Sequence, residues 1–168
     1  MNVRLFFAFA LGLTAVSFAA AQYRPDGPVR LTTEFRGANV CLDVINGGPR
    51  DGFVRLEDCS NANGQRWSVQ PRNANYVQLT SEFLGSSMCL DVVNGGADNL
   101  RLKMTPCQQV SGQHWRIDRN PHGGFKLTTE FRGPQLCADI VNGGSRNNEL
   151  RLEPCSSVTG QRWHFRGY

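Results

Sequence analysis

Three aspartates recur along the chain at one interval and are the first candidates for chemistry. Asp43, Asp91 and Asp139 lie 48 residues apart, each two residues after a cysteine. General acid–base catalysis needs two carboxylates whose environments differ, whereas a repeat gives these three equivalent surroundings. The role left to them is hydrogen-bond acceptance, either from a ligand or within the Asn-Gly-Gly turn that follows each one.

The other reactive residue types form no pattern typical of catalysis or metal binding. His114, His122 and His164 fall at non-equivalent places in the sequence and have no metal-ligand spacing. The six cysteines are spaced wrongly for zinc knuckles, and neither a nucleophile motif nor a phosphate-binding glycine loop is present. We therefore expect a protein that is not an enzyme and that needs neither a cofactor nor a metal ion.

The aspartates belong to an internal repeat that runs from Pro25 to Tyr168. Shifting the sequence by 48 residues aligns three copies without a gap, which predicts one domain over 25–168 with repeats at 25–72, 73–120 and 121–168. Besides the aspartates, the copies share Leu31, Leu79 and Leu127; Glu34, Glu82 and Glu130; Phe35, Phe83 and Phe131; Cys41, Cys89 and Cys137; Asn46, Asn94 and Asn142; Cys59, Cys107 and Cys155; Gln65, Gln113 and Gln161; and Trp67, Trp115 and Trp163.

Within each copy the local pattern predicts β-strands that position these residues. Val29 and Leu31 alternate with polar residues, and so do Trp67 and Val69, which is the period-2 pattern of half-buried strands. The Asn-Gly-Gly stretches predict tight turns, and no segment has a long apolar face at helical spacing. Three such copies favour a closed, pseudo-symmetric β architecture, with a linear solenoid as the alternative.

Composition and the N-terminus indicate an exported, compact domain. The chain has 168 residues and a net charge of +4, too weakly basic to indicate nucleic-acid binding. Arg4 precedes an apolar run that ends at Phe18 and is followed by three alanines. This layout predicts a secretory signal peptide over 1–21, since the run is shorter than the ~20 apolar residues of a membrane span. We expect a secreted or periplasmic protein without a membrane span in the mature chain.

The repeated motifs together resemble the ricin B-type lectin repeat. A Cys-Leu-Asp start, a glycine-rich turn, a second cysteine 18 residues after the first and a closing Gln-x-Trp are all present, and the third copy differs only in having Ala138 for Leu. Three repeats of this family form a β-trefoil, a short barrel capped by three hairpins with pseudo-threefold symmetry. The resemblance covers the whole mature chain and therefore implies an all-β trefoil after a cleaved signal peptide.

The resemblance also assigns structural roles to the shared residues. Six cysteines allow 15 pairings, but the repeat symmetry and the family both favour Cys41–Cys59, Cys89–Cys107 and Cys137–Cys155. The tryptophans of the Gln-x-Trp motif are expected to fill the core. Gln65, Gln113 and Gln161 are expected to brace the loops by hydrogen bonds.

In this family each repeat carries a shallow sugar pocket. The Asp after the first cysteine accepts hydrogen bonds from two sugar hydroxyls, a role that falls here on Asp43, Asp91 and Asp139. The family's stacking ring is replaced by Glu57, Thr105 and Glu153, and its Asn by Gly64, Gly112 and Gly160. The ligand is therefore a glycan other than galactose, or the pockets are weak.

Other side chains are candidates for the pocket edge. Arg55, Lys103 and Arg151 face outward beside the aspartates, although ion pairs with Glu57 and Glu153 also account for the two arginines. Phe53 is expected to face outward and to supply a stacking ring in the first copy only. Asn46, Asn94 and Asn142 would border the pockets, and turn formation also explains them.

Two functions follow from these observations. The first is a secreted, non-catalytic carbohydrate-binding module with up to three glycan pockets, which binds glycans or glycoconjugates. The second is a protein-interaction trefoil, such as a toxin-like accessory subunit or an inhibitor, in which the sugar pockets have decayed and a partner subunit is bound instead.

Overall fold

The structure is a computed structural model that describes Tyr23 and residues 25–168. The signal peptide expected over 1–21 lies outside these residues. Within them no helix has the length and apolar character needed to cross a membrane, and apart from 3-10 turns the secondary structure consists of twelve strands. The strands are β1 Val29–Thr33, β2 Gly37–Val44, β3 Val54–Asp58, β4 Trp67–Pro71, β5 Val77–Ser81, β6 Met88–Val92, β7 Leu102–Pro106, β8 Trp115–Arg119, β9 Phe125–Thr129, β10 Gly133–Ile140, β11 Leu150–Pro154 and β12 Trp163–Gly167.

Six of the strands close into a barrel and the other six form three hairpins. Around the barrel, β1 pairs with β4, β4 with β5, β5 with β8, β8 with β9, β9 with β12, and β12 with β1. The hairpins are β2–β3, β6–β7 and β10–β11. Because β12 returns to β1, the sheet has no open edge in the barrel. This arrangement is a β-trefoil, and the fold class predicted from the repeat is confirmed.

The core repeats the same packing three times. Trp67, Trp115 and Trp163 are fully buried, and each stands opposite the first residue of a neighbouring barrel strand. Each indole Nε1–H donates to a hairpin-strand carbonyl, to Leu42 at 2.9 Å, Leu90 at 2.8 Å and Ala138 at 3.0 Å. The tryptophans thus fill the barrel and tie it to the hairpins, with their polar atoms satisfied.

Three disulfides close one loop within each copy. Cys41 is bonded to Cys59, Cys89 to Cys107 and Cys137 to Cys155. In each pair the first cysteine lies on the first strand of the hairpin (β2, β6 or β10), and the second cysteine directly follows the second strand (β3, β7 or β11). Cross-links over loops of this length contribute on the order of 3 kcal/mol each.

The three hairpins join through a ring of equivalent backbone hydrogen bonds. The amide of Met104 donates to Gly52 O at 2.7 Å, that of Leu152 to Leu100 O at 2.8 Å, and that of Leu56 to Asn148 O at 2.9 Å. The three acceptors are turn residues with φ of 76°, 68° and 69°. Each hairpin turn is therefore bonded to the next copy of the repeat.

A cluster of ionic side chains fills the centre of this ring and breaks its symmetry. Arg50, Asp98 and Arg146 occupy equivalent positions, and Asp98 is paired with both arginines, with Arg50 at 2.9 Å. Glu149, 5% exposed, accepts from Arg50 at 2.6 Å and from Arg101 at 3.3 Å. The hydrogen bond from Arg146 is the main cause that lowers the pKa of the Asp98 carboxyl.

We predict that the Asp98→Asn variant loses stability in a pH-dependent way. Because the native pKa lies below the ordinary value of 3.8, the contribution of the carboxylate is present above that pH and is lost as the pH falls through the native pKa. Urea unfolding at pH 6 and pH 2.5 measures it: the wild-type advantage should be smaller at pH 2.5 than at pH 6. Asp26→Asn, at an exposed position, is the control, and an equal loss at both pH values would contradict the prediction.

Candidate functional site

The Gln-x-Trp motif holds each aspartate from two sides. In the first copy, Gln65 Nε2 donates to Asp43 Oδ2 at 3.0 Å and to the Asp58 carbonyl at 3.0 Å, while its Oε1 accepts the amide of Ser60 at 2.7 Å. The tryptophan of the same motif bonds to the carbonyl just before Asp43. Gln113 and Gln161 make the corresponding bonds to Asp91 and Asp139, at 3.1 and 2.9 Å. Core and candidate site are thus linked through one buried glutamine.

A glycine before each of these glutamines leaves room for the carboxylate. Asp43 Oδ1 accepts the amide of Val44 at 2.8 Å and lies where a side chain at Gly64 would be, since a Cβ there would stand 2.1 Å away. The same distance is 2.4 Å for Gly112 and Asp91 and 2.2 Å for Gly160 and Asp139. The family's Asn therefore does not fit with the aspartate in this position, because the carboxylate fills the space of its Cβ.

Two of the aspartates open onto matching surface cavities. One, of about 340 Å³, is lined by Asp139, Asn142, Val158, Thr159, Gly160, Ile140 and Phe35. The other, of about 220 Å³, is lined by Asp91, Asn94, Val110, Ser111, Gly112, Val92 and Phe131. Each offers a carboxylate, an amide, a hydroxyl, a valine and an aromatic ring. The ring always comes from a different copy of the repeat than the other residues.

Backbone contacts between copies position these rings. The amide of Phe131 donates to Ser111 O and that of Phe83 to Asn63 O, both at 3.2 Å. The amide of the preceding glutamate also bonds to the residue between Gln and Trp: Glu34 to Arg162, Glu82 to Arg66 and Glu130 to His114. Phe83 is thereby placed beside the first copy as Phe131 and Phe35 are placed beside the second and third.

The phenylalanines are functional candidates that sequence reasoning missed. Their signal was the repeated Glu-Phe pair, which marks the interval but does not reveal a contact with another copy. Among the described residues, the exposed large apolar side chains are Phe83, Val110, Val158 and Tyr168. The first three lie where the phenylalanine of one copy meets the Gln-x-Trp turn of another. We call these three places junctions and number each by the copy that supplies its aspartate. Apolar surface next to polar groups is typical of a binding site.

The rims of the three junctions differ in charge. Arg36 lies 4.3 Å from the centre of the Phe35 ring and donates to Asn147 at 3.1 Å. Arg132 lies 4.2 Å from the Phe131 ring and donates to Asn94 at 3.3 Å. At the first junction the equivalent residue is Leu84, and Phe83 is 41% exposed. The first junction therefore lacks the arginine that covers the ring at the other two junctions, and its ring is the most exposed of the three.

The remaining predicted residues lie around these junctions in different ways. Asn94 and Asn142 line the two cavities, and Asn46 is exposed at the equivalent place. Arg55 and Arg151 stand opposite Asp43 and Asp139 across their hairpins but are paired with Glu57 and Glu153. Lys103 lies 5.0 Å from the Phe53 ring centre.

The expectation of an outward-facing Phe53 is wrong. The residue is only 6% exposed, and the Arg50 guanidinium covers its ring at 3.4 Å from the centroid, with the Lys103 ammonium beside it. Strand alternation assigned it to the solvent side, but the hairpin ring covers that side near the symmetry axis. Phe53 is thus part of the packing between hairpins and offers no ring to a ligand.

Within the described part of the chain, no group of three or more His, Cys, Asp or Glu side chains is arranged to hold a metal ion. What the junctions offer is hydrogen-bond acceptors and donors next to apolar surface, the combination that suits a polyhydroxylated ligand.

The chain is similar to a family of lectin domains in sequence and to several solved proteins in fold. The model of the ricin-type beta-trefoil lectin domain matches residues 28–123, more than half of the chain. No curated protein sequence matches. The designed threefold-symmetric protein ThreeFoil is similar, with a TM-score of 0.70 at 24% identity, over 85% of this chain and all of that one.

Natural proteins share the fold at lower identity. The Polyporus squamosus lectin, solved with a human-type influenza-binding epitope, has a TM-score of 0.68 at 16% identity, over 85% of this chain and 49% of that one. A chain of the Haemophilus ducreyi cytolethal distending toxin has a TM-score of 0.64 at 17% identity, over 93% and 94%. These likenesses concern the fold.

We predict that Gln65→Ala destabilises the protein by about 1–3 kcal/mol, because the amide of Ser60 and the carbonyl of Asp58 lose their partner. Urea unfolding measures the loss. Gln70→Ala, at an exposed position of β4, is the control and should be nearly neutral. Equal effects of the two variants would contradict the bracing role.

The close approach of Gly160 and Asp139 gives a second prediction. Gly160→Ala should cost about 1–3 kcal/mol, because the new methyl displaces the carboxylate. In an Asp139→Ala background the same change should cost much less, since the oxygen it meets is gone. A double-mutant cycle by urea unfolding measures the coupling, and additive effects would show that the contact is unimportant.

Proposed function

Because the chain belongs to the ricin-type beta-trefoil lectin family, whose members are carbohydrate-binding modules, we propose that it is a secreted, non-catalytic glycan-binding protein with sites at the junctions between copies of the repeat. The observation that carries the proposal is the pairing of an Asp from one copy with a Phe from another, seen in two cavities of similar composition. Up to three such sites encircle the molecule.

The polar groups of each site suit sugar hydroxyls. In the third copy, Asp139 uses one carboxylate oxygen for a backbone amide and the other for a glutamine, so each oxygen has a further lone pair that accepts a hydroxyl. In the second copy, Asp91 Oδ2 also accepts the Thr105 hydroxyl at 2.9 Å, so the lone pair left for a ligand is on Oδ1. Asn94 with Ser111, or Asn142 with Thr159, adds an amide and a hydroxyl that both donate and accept. A ligand with several adjacent hydroxyls satisfies this set better than an apolar molecule does.

The apolar part of each site suits the C–H face of a sugar ring. The stacking position of the family carries Glu57, Thr105 and Glu153 here, and the phenylalanine from the other copy stands in for that ring. Val110 and Val158, 39% and 48% exposed, extend the apolar surface. Our proposal is therefore that this chain stacks its sugar on a ring from a different place in the repeat, which implies a ligand orientation other than that of the galactose sites.

Repetition of a weak site on one rigid body gives strong binding to a repeating ligand. Where the geometry allows two sites to bind one glycan, the gain is about 10²–10⁴-fold. Three disulfides are typical of proteins outside the reducing cytosol and support secretion, which the expected signal peptide over 1–21 would direct.

A protein-interaction trefoil, such as a toxin-like accessory subunit, remains the second candidate. It is favoured by the similarity to chains of the Haemophilus ducreyi cytolethal distending toxin and of a mosquitocidal holotoxin. The two functions differ in what the junctions bind, and a glycan array separates them.

The test applies the protein to an array of neutral and acidic glycans, together with a variant in which Phe35, Phe83 and Phe131 are all replaced by Leu. The wild type should bind a defined set of glycans saturably. The variant should bind about tenfold more weakly per site, because the stacking contact is lost while the apolar volume is largely kept. Tyr168→Leu removes an exposed ring outside the junctions and should bind like the wild type.

Each negative result has a separate meaning. A blank array overturns the glycan-binding function and favours the interaction trefoil. Saturable binding that is equal in the wild type and in the folded triple variant keeps glycan binding but overturns the junction sites.

A further inference from the structure

At the first junction a cavity of a different composition lies against Phe83. It has a volume of about 260 Å³, and its apolar wall comes from Ile45, Phe83, Leu84, Met88 and Met104. Two charged side chains complete it, Asp51 and Lys103. It is therefore an apolar space with one hydrogen-bond acceptor and one donor at its edge.

A glycine gives this cavity its room. Gly52 has a φ of 76°, and a Cβ there would stand 3.3 Å from Lys103 Cε. The equivalent residues are Leu100 and Asn148, with nearly the same φ, so the backbone of this turn accepts a side chain and the first copy lacks one. Leu84 likewise replaces the arginines that cover the rings at the other two junctions.

The cavity is adjacent to the glycan site proposed at Asp43. Phe83 lines the cavity, and its amide donates to Asn63 O at 3.2 Å. Gly64, which follows Asn63 in the sequence, lies against the Asp43 carboxylate. Phe83 thus lines the cavity and, through this backbone contact, also belongs to the junction at Asp43, so a sugar stacked on its ring would lie beside the cavity.

The wall chemistry indicates which sugar substituent suits the cavity. Asp51 uses Oδ1 to accept the amide of Gly47 at 2.6 Å, which leaves its other oxygen as an acceptor. The Lys103 ammonium lies over Phe53 and makes no ion pair within the described residues, so it is a donor. The charges of Asp51 and Lys103 cancel, which favours a neutral group with one N–H, one C=O and a small apolar end. An acetamido group has all three.

We propose, on the basis of the glycan-binding function above, that the first junction selects N-acetylhexosamines, with the acetamido methyl group in the cavity between Met88 and Met104. The N–H donates to Asp51 and the carbonyl accepts from Lys103. The two thioethers adapt to the methyl group because methionine is flexible and polarizable. The other two junctions, with Arg36 and Arg132 on their rings, do not share this preference.

The methionines report on the site directly. The chain has three methionines, and the two in the described residues both line the cavity. With methyl-¹³C-methionine labelling, titration with methyl glycosides of N-acetylglucosamine and N-acetylgalactosamine should shift both signals. The methyl glycosides of glucose and galactose should shift them much less. Met88→Leu and Met104→Leu variants assign the signals.

A filled cavity gives a matched pair of variants. Gly52→Leu places at this turn the side chain that Leu100 carries in the second copy. It should abolish the methionine shifts and should lower the preference for N-acetylated over plain sugars at least tenfold. Asn148→Leu makes the same kind of change at the equivalent turn of the third copy and should retain both. Binding of plain hexosides should be unchanged in either variant.

The outcomes separate this inference from the function on which it rests. Equal affinity for hexosides and N-acetylhexosamines, unshifted methionine signals, or a preference that survives in folded Gly52→Leu overturns the acetamido site while glycan binding stands. A blank glycan array overturns the proposed function itself.

Discussion

The hydrogen bonds of one buried glutamine in each copy hold the rest of the molecule in place. Gln65 joins the hairpin carboxylate, the end of the next strand and the loop after the disulfide, while Trp67, two residues on, fills the barrel. The spacing of the motif is therefore set by geometry, since one turn must reach both the core and Asp43. A buried amide that makes all of these bonds fixes the carboxylate more firmly than an exposed loop does.

Each candidate site is assembled from two copies, and this follows from how the barrel closes. The Glu-Phe turn of one copy bonds to the Gln-x-Trp turn of another through backbone amides. The phenylalanine ring of the first copy therefore lies next to the aspartate carboxylate of the other. Differences at single positions then distinguish the junctions: Leu84 stands where Arg36 and Arg132 stand, and Gly52 where Leu100 and Asn148 stand. The scaffold is threefold, but the surfaces it presents are not.

The fold was predictable from the sequence because the information is repeated and local. Three aligned copies with period-2 strands and Gln-x-Trp predict the trefoil, and the disulfides have the pairing that the repeat favoured. The phenylalanines were not recognised because their partners belong to other copies, as with Phe35 and Asp139. Phe53 was misassigned because alternation distinguishes two faces of a strand, whereas near the axis the outer face is covered by neighbouring hairpins.

The junction of Phe35 with Asp139 differs from the other two in how it is held. It joins the start of the domain to its end, through the antiparallel pairing of β1 with β12, and no disulfide crosses that seam. The other two junctions are also joined covalently, since a short loop connects β4 to β5 and another connects β8 to β9. The third junction therefore depends on non-covalent pairing only, and weakening of that pairing would separate Phe35 from Asp139 while the other two junctions keep their chain connection.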